Sequence, residues 1–217
     1  MAGFFRNRRD AGRQLAERLK AYAGRSDVTV LALPRGGVPV GYEVAKALGA
    51  PLDVLVVRKL GVPQQPELAM GAIASGDARF LVDDVFRNAH VSRAALHAVE
   101  DRERAELARR EKLYRGTRAP LQVRGRVVIL VDDGIATGAS IQVAAMALRS
   151  LHPGHIVVAV PVAPVHAAQR LGDAVDEFVC VYAPRGFHAV GQFYEDFGQT
   201  TDEEVRDLIE HPREAHA

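Results

Sequence analysis

A chain of 217 residues is long enough to close one hydrophobic core and too short for several. Lysine and arginine number 28 against 27 aspartate and glutamate, a formal net charge of +1 that gives no pull toward nucleic acid or an anionic membrane. The lone cysteine, Cys180, rules out an internal disulfide framework, no apolar run reaches membrane-spanning length, and the first residues lack a signal-peptide core, so a cytoplasmic protein is expected.

Met1 to Arg9 is basic and carries Phe4 and Phe5. Arg6, Arg8 and Arg9 are expected on a solvated face or at an edge that meets a partner subunit, with a phosphate role as the lesser alternative. Ala11, Leu15, Leu19 and Tyr22 mark one face of a helix ending near Gly24. Val28 to Leu33 is an apolar strand that breaks into Pro34-Arg35-Gly36-Gly37-Val38-Pro39, after which Val40, Val44 and Leu48 give a helix stopped by Gly49. That loop suits an anion: Arg35 offers a planar donor fork, and Gly36 and Gly37 expose backbone amides. The plain alternative is a tight turn with a surface arginine.

Leu52 to Val57 reads as the next strand and hands over to Arg58-Lys59, two cations placed at its carboxyl end. Gly61 to Glu67 is a loop by composition, Leu68 to Ser75 a short apolar strand, and Arg79 to Asp84 its antiparallel return. Ser92 to Tyr114 is heavily charged with both signs interspersed, which predicts a long exposed helix capped by Ser92, with Glu100–Arg104 and Glu106–Arg110 as pairs one turn apart. Arg109, Arg110 and Tyr114 are placed to reach a lid or to pack against a neighbouring subunit. Residues 115–126 form a linker too short to divide domains.

Val127 to Val131 is a run of five apolar residues, the pattern of a strand buried on both faces of a parallel sheet. It ends in Asp132-Asp133, and then Gly134-Ile135-Ala136-Thr137-Gly138-Ala139-Ser140 turns into a helix marked by Ile141, Ala144, Ala145, Leu148 and Leu151. Gly134 and Gly138 permit unusual backbone angles, Thr137 and Ser140 supply hydroxyls, and free amides at the helix start can face a phosphate. The two carboxylates suit a polyol or a divalent cation. Neither the nucleotide-hydrolase phosphate loop nor the dinucleotide glycine fingerprint is present.

Ile156 to Val162 and Val175 to Val181 are further strands, with a short helix over Val165 to Leu171 between them. Cys180 falls in the last strand and is expected to be an inert buried thiol. The alternation of strand and helix from residue 28 to 181 predicts an α/β fold with a parallel sheet and helices on both faces. Tyr182 to Gly198 breaks that pattern with aromatics and turn residues, and a short helix capped by Thr201 follows. Residues 211 to 217 are expected to fray. The eight histidines show no zinc-ligand grouping, and His188 is a minor ligand candidate.

The 127–140 stretch resembles the phosphoribosyl diphosphate signature of the type I phosphoribosyltransferases: an apolar strand, two acids, a small turn, then Thr-Gly. The match extends over residues 28 to about 200 and is closest to poorly characterised bacterial members. The resemblance implies that Asp132 and Asp133 bind the ribose 2- and 3-hydroxyls and face magnesium. It implies that Gly134, Ala136, Thr137, Gly138, Ala139 and Ser140 wrap the 5-phosphate. The loop at Arg35, Gly36 and Gly37 would hold diphosphate and often carries a non-proline cis peptide, here expected between Pro34 and Gly36. Lys59 would stand near the diphosphate, with Arg58 beside it or, since side chains alternate along a strand, pointing away. A single domain spanning 1–217 is expected, with a mobile flap over 59–90 and a hood over 182–200. Glu67 would belong to the lid or the acceptor site, and Tyr182 and Phe187 would meet the acceptor.

The implied reaction is magnesium-dependent transfer of the phosphoribosyl group from phosphoribosyl diphosphate to a nitrogenous acceptor, with Asp132, Asp133, Lys59 and Arg35 carrying it. Gly134-Ile135-Ala136-Thr137 lacks the acid that purine-using relatives keep in this turn, which argues against hypoxanthine or guanine as acceptor. Two other readings remain: a regulatory module that binds the sugar phosphate without turnover, and a magnesium-dependent phosphohydrolase built on the acid pair. A symmetric dimer is the default assembly.

Overall fold

The computed structural model describes residues 4–210. In chain order, α1 (Arg8–Arg18) and a 3-10 turn at Lys20–Tyr22 lead to β1 (Val28–Ala32), α2 (Gly37–Leu48) and the short β2 (Leu52–Val54). Three strands follow closely, β3 (Val57–Val62), β4 (Gln65–Ala74) and β5 (Ala78–Leu81), then α3 (Asp83–Asn88) and the long α4 (Arg93–Arg115). The second half alternates β6 (Val127–Val131), α5 (Ala139–Arg149), β7 (His155–Val162), α6 (Ala167–Leu171) and β8 (Glu177–Tyr182), and α7 (Asp202–Glu210) closes it. Residues 211–217, expected to fray, lie outside the described residues.

The central sheet is parallel throughout, in the order β2-β1-β6-β7-β8. Every residue of β1 and of β6 is buried, because helices cover both faces. Alternate side chains enter different layers. Val30 and Ile129 pack with Leu15, Val40 and Val205 from α1, α2 and α7, whereas Leu31 and Leu130 pack with Ile141, Leu148 and Leu171 from α5 and α6. The helix caps follow local sequence. Asn7 accepts from the Asp10 N–H at 3.0 Å, Ser92 from the Ala95 N–H at 3.1 Å, and Thr201 from the Glu204 N–H at 3.1 Å.

The apolar run expected as one strand over 52–57 is divided between two sheets. β2 stops at Val54, and β3 opens a separate antiparallel sheet in the order β3-β4-β5. Ser75 stabilises the break: its N–H donates to the Val56 carbonyl at 2.9 Å, and its hydroxyl accepts from the Val56 N–H at 3.0 Å. Arg58 and Lys59 therefore lie inside β3, not at the end of a parallel strand. The loop expected over 61–67 is mostly strand, leaving Pro63-Gln64 as the turn. The prolines disguised a hairpin that is irregular on either side of Gly61.

The long helix is not exposed all round. Leu96, Val99, Glu100, Glu103, Leu107 and Tyr114 form its buried line. Glu100 does not pair with Arg104; it accepts from Arg79 of β5 at 2.7 Å, while Glu103 pairs with Arg58 of β3 at 2.6 Å. The expected Glu106–Arg110 pair forms at 2.7 Å, and Arg109 joins the same acid at 2.8 Å. The Tyr114 hydroxyl donates to Asp202 Oδ1 at 2.6 Å, which ties α4 to the start of α7.

The segment after β8 is joined by the amino-terminal residues. The Phe5 N–H donates to Phe193 O at 2.9 Å, and the Glu195 N–H donates to Phe5 O at 2.8 Å. Phe5, Ala11, Val162, Phe193 and Tyr194 then make a small cluster of their own. Among the described residues, no helix is long and apolar enough to cross a membrane.

Candidate active site

β1 and β6 lie side by side in register, with Ala32 opposite Val131, so the loops that follow them leave from the same edge of the sheet. The Leu33 N–H donates to Val131 O at 2.9 Å and holds the two exits together. In the first loop the Pro34–Arg35 peptide is cis, inside the interval where the resemblance pointed. A Cβ at Gly36 would lie 2.1 Å from Asp133 Oδ2, and one at Gly37 would lie 2.8 Å from Val131 O and 2.9 Å from Asp132 Cα. Glycine is required at both positions because this loop rests directly on the two acids.

The acids are half-buried and short of positive charge. The Asp133 N–H donates to Asp132 Oδ1 at 2.9 Å. Asp133 Oδ2 accepts from Arg8 Nε at 2.8 Å, and the Tyr194 hydroxyl donates to the Asp133 carbonyl at 2.6 Å. Burial and the neighbouring Asp133 carboxylate push Asp132 well above the usual carboxylate range. Burial raises Asp133 as well, against the opposing pull of Arg8. Burial, reinforced by the Asp133 carboxylate, likewise pushes the Tyr194 phenol up.

The second loop is pinned at its start and open at its end. The Ile135 N–H donates to Val162 O at 2.9 Å, and a Cβ at Gly134 would meet Val190 at 2.6 Å. Gly138, at φ +82°, then caps the eleven-residue α5, and Ala136, Thr137, Ala139 and Ser140 are exposed. First-turn amides without helical partners, together with the helix dipole, make this end a ready anion site.

The structure brings Gly36, Gly37, Asp132, Asp133 and the 134–140 turn to one edge. Arg35 stands at that edge, its Nη1 3.8 Å from Asp202 Oδ1. Arg58 turns to Glu103, and with the exposed Lys59 it lines a cavity of about 470 Å³ between β3 and α4. Among the described residues the cation paired with the acids is Arg8, from the segment expected on a solvated face or a subunit edge. Tyr182 stacks on Phe4 with centroids 4.5 Å apart, and Phe187 packs on Phe193 at 5.3 Å. Glu67 and His188 are exposed. Burial pushes the Cys180 thiol up to about 11, which suits an inert thiol. Sequence reasoning missed Arg8 and Tyr194 as neighbours of the acids, since no local pattern joins positions so far apart.

Among the described residues, no group of three or more His, Cys, Asp or Glu could hold a metal ion. Two carboxylates with only oxygen to offer do fit magnesium of the kind that takes most of its ligands from water and substrate phosphates.

An open parallel sheet with helices on both faces, and with an acid pair and a glycine-bearing turn gathered at its carboxyl edge, defines an α/β protein whose candidate site lies at that edge. The chain belongs to the phosphoribosyl transferase domain family, whose match spans residues 5–182. It is 52% identical over 201 residues to Rv0571c, a Mycobacterium tuberculosis H37Rv protein named as a phosphoribosyl transferase, and equally to that protein's counterpart in strain CDC 1551. The match covers 93% of this chain but 45% of those relatives, so the chain spans about half their length. The crystal structure of TT1426 from Thermus thermophilus superposes with a TM-score of 0.85 at 43% identity, covering 96% of this chain and 98% of that one.

Proposed function

We propose that the protein transfers the 5-phosphoribosyl group from phosphoribosyl diphosphate to a nitrogenous base or similar acceptor, releasing diphosphate. The observation that carries this is the contact of the Gly36–Gly37 loop with the Asp132–Asp133 pair. It sets Arg35 and the Gly36 amide, suited to an anion, against acids suited to a sugar, while the Gly37 N–H donates to Leu33 O at 3.1 Å. In this reading Asp132 and Asp133 accept from the ribose 2- and 3-hydroxyls. The amides of Gly134 and 136–140 and the hydroxyls of Thr137 and Ser140 hold the 5-phosphate. The Arg35-Gly36-Gly37 loop holds the diphosphate, and Lys59 adds positive charge when the exposed tip of the β3–β4 hairpin closes, while Arg58 stays paired with Glu103.

The bond from ribose C1 to the diphosphate oxygen breaks as the acceptor nitrogen attacks, and the electron pair leaves on diphosphate. Positive charge develops on the sugar ring, and the nearby carboxylates favour it. Positioning and leaving-group neutralisation carry the rate, and no side chain need act as a covalent nucleophile. Magnesium, held through Asp132 and Asp133 together with substrate oxygens, would supply further neutralisation of the diphosphate. Tyr182 and Phe187 are assigned to the acceptor's flat face, and the missing acid in the turn directs attention away from hypoxanthine and guanine. The test is a diphosphate-release assay across a panel of nitrogenous bases. Magnesium-dependent release with at least one base, abolished in Asp133→Asn, is expected. Silence with every base would sink the enzyme assignment.

A further inference from the structure

Arg8, the first residue of α1, keeps only 12% of its side chain exposed. Its Nε donates to Asp133 Oδ2 at 2.8 Å and its Nη1 donates to Gly198 O at 2.6 Å. Its guanidinium carbon lies 3.9 Å from the centre of the Phe197 ring, a cation–π contact. From the same segment, the Tyr194 hydroxyl reaches the Asp133 carbonyl at 2.6 Å. One cation thus joins α1, the acid pair and residues 194–198.

An aspartate side chain turns freely about two bonds, and an unrestrained Asp133 would sample several orientations. Here one of its oxygens is bound by Arg8 and crowded by Gly36, which leaves the other for a ligand. The arginine itself is fixed by a carbonyl and a ring as well as by the carboxylate. It is therefore built into the wall of the site and is not a swinging occupant of it. Ordering both side chains in advance removes an entropy cost from ligand binding.

We propose that Arg8 is a positioning residue for sugar recognition: it aims Asp133 at the ribose hydroxyls and links that aim to the 194–198 segment. The inference rests on the phosphoribosyl reading above. It assigns this task to the helix that opens the chain, outside the signature and outside both phosphate loops.

Calorimetric titration with two probes tests it. Ribose 5-phosphate engages the acids and the 134–140 turn, whereas inorganic phosphate engages the turn alone. In Arg8→Met, the affinity for ribose 5-phosphate is expected to fall about tenfold, the scale of one charge-assisted hydrogen bond, with inorganic phosphate changed less than about twofold. Arg8→Lys, which keeps the charge and loses the fork, is expected to recover part of that loss. In turnover, the KM for phosphoribosyl diphosphate should rise with kcat nearly unchanged. Unchanged or tighter sugar binding in Arg8→Met overturns the proposal. If Arg8→Met does not fold, Arg8→Lys carries the test: selective loss of the sugar ligand supports the proposal, and equal loss of both ligands or no loss overturns it. Wild-type protein that binds neither probe sinks the phosphoribosyl reading itself, and the Arg8 proposal goes with it.

Discussion

Glu100 and Glu103 on α4 and Asp132 and Asp133 after β6 are both pairs of acids withdrawn from solvent, but the protein neutralises them differently. Each glutamate has its own arginine: Arg79 lies 2.7 Å from Glu100, Arg58 lies 2.6 Å from Glu103, and Arg102 adds a third cation at 3.1 Å. The two aspartates share Arg8, which bonds Asp133, while among the described residues the Asp132 carboxylate accepts from its neighbour's N–H alone. The glutamates join α4 to the antiparallel sheet and are electrically complete. The aspartates stand at an open edge with their pKa values raised, a state that costs stability and suits a site whose missing charge arrives with its ligand.

If that contrast is right, substitutions in the two pairs should have opposite signs. The largest effect is expected from Asp132→Asn in the diphosphate-release assay, where turnover should drop at least about a hundredfold, a few kcal/mol of transition-state stabilisation. Full activity in this variant would break the comparison at once. Next comes Glu103→Gln, which strips Arg58 of its enclosed partner and should cost about 2–3 kcal/mol in urea unfolding, without touching the acid pair. Gly37→Ala should follow at about 1–2 kcal/mol, because its Cβ meets backbone that cannot easily retreat.

The smallest effect is the most diagnostic. In magnesium-free buffer, Asp132→Asn should stabilise the protein by about 1 kcal/mol while destroying its activity. The sign follows from the raised pKa. A carboxyl that holds its proton more tightly when folded contributes stability below its unfolded value of about 4, and that contribution is lost as pH climbs through the folded value. The advantage of the variant in urea midpoint should therefore be larger at pH 8 than at pH 5. An advantage that shrinks as pH rises would show that the acids are not under-neutralised.

The sequence alone determined the strands to within a residue at either end, expected at 28–33, 127–131 and 156–162 and found at 28–32, 127–131 and 155–162, the helix caps at Ser92 and Thr201, and the edge of the sheet where the loops converge. These follow from signals a few residues long: continuous apolar runs, cap hydroxyls and glycines at turns. Tertiary packing decided the rest. It split the 52–57 run between two sheets, because consecutive apolar residues do not mark where one sheet gives way to another. It gave Glu100 to Arg79 instead of Arg104, since the helix packs against β3 and β4 of the antiparallel sheet, within reach of Arg79 on β5. It also set Arg8 against Asp133, 125 residues away, because such a pair forms only when separate elements pack their ends together.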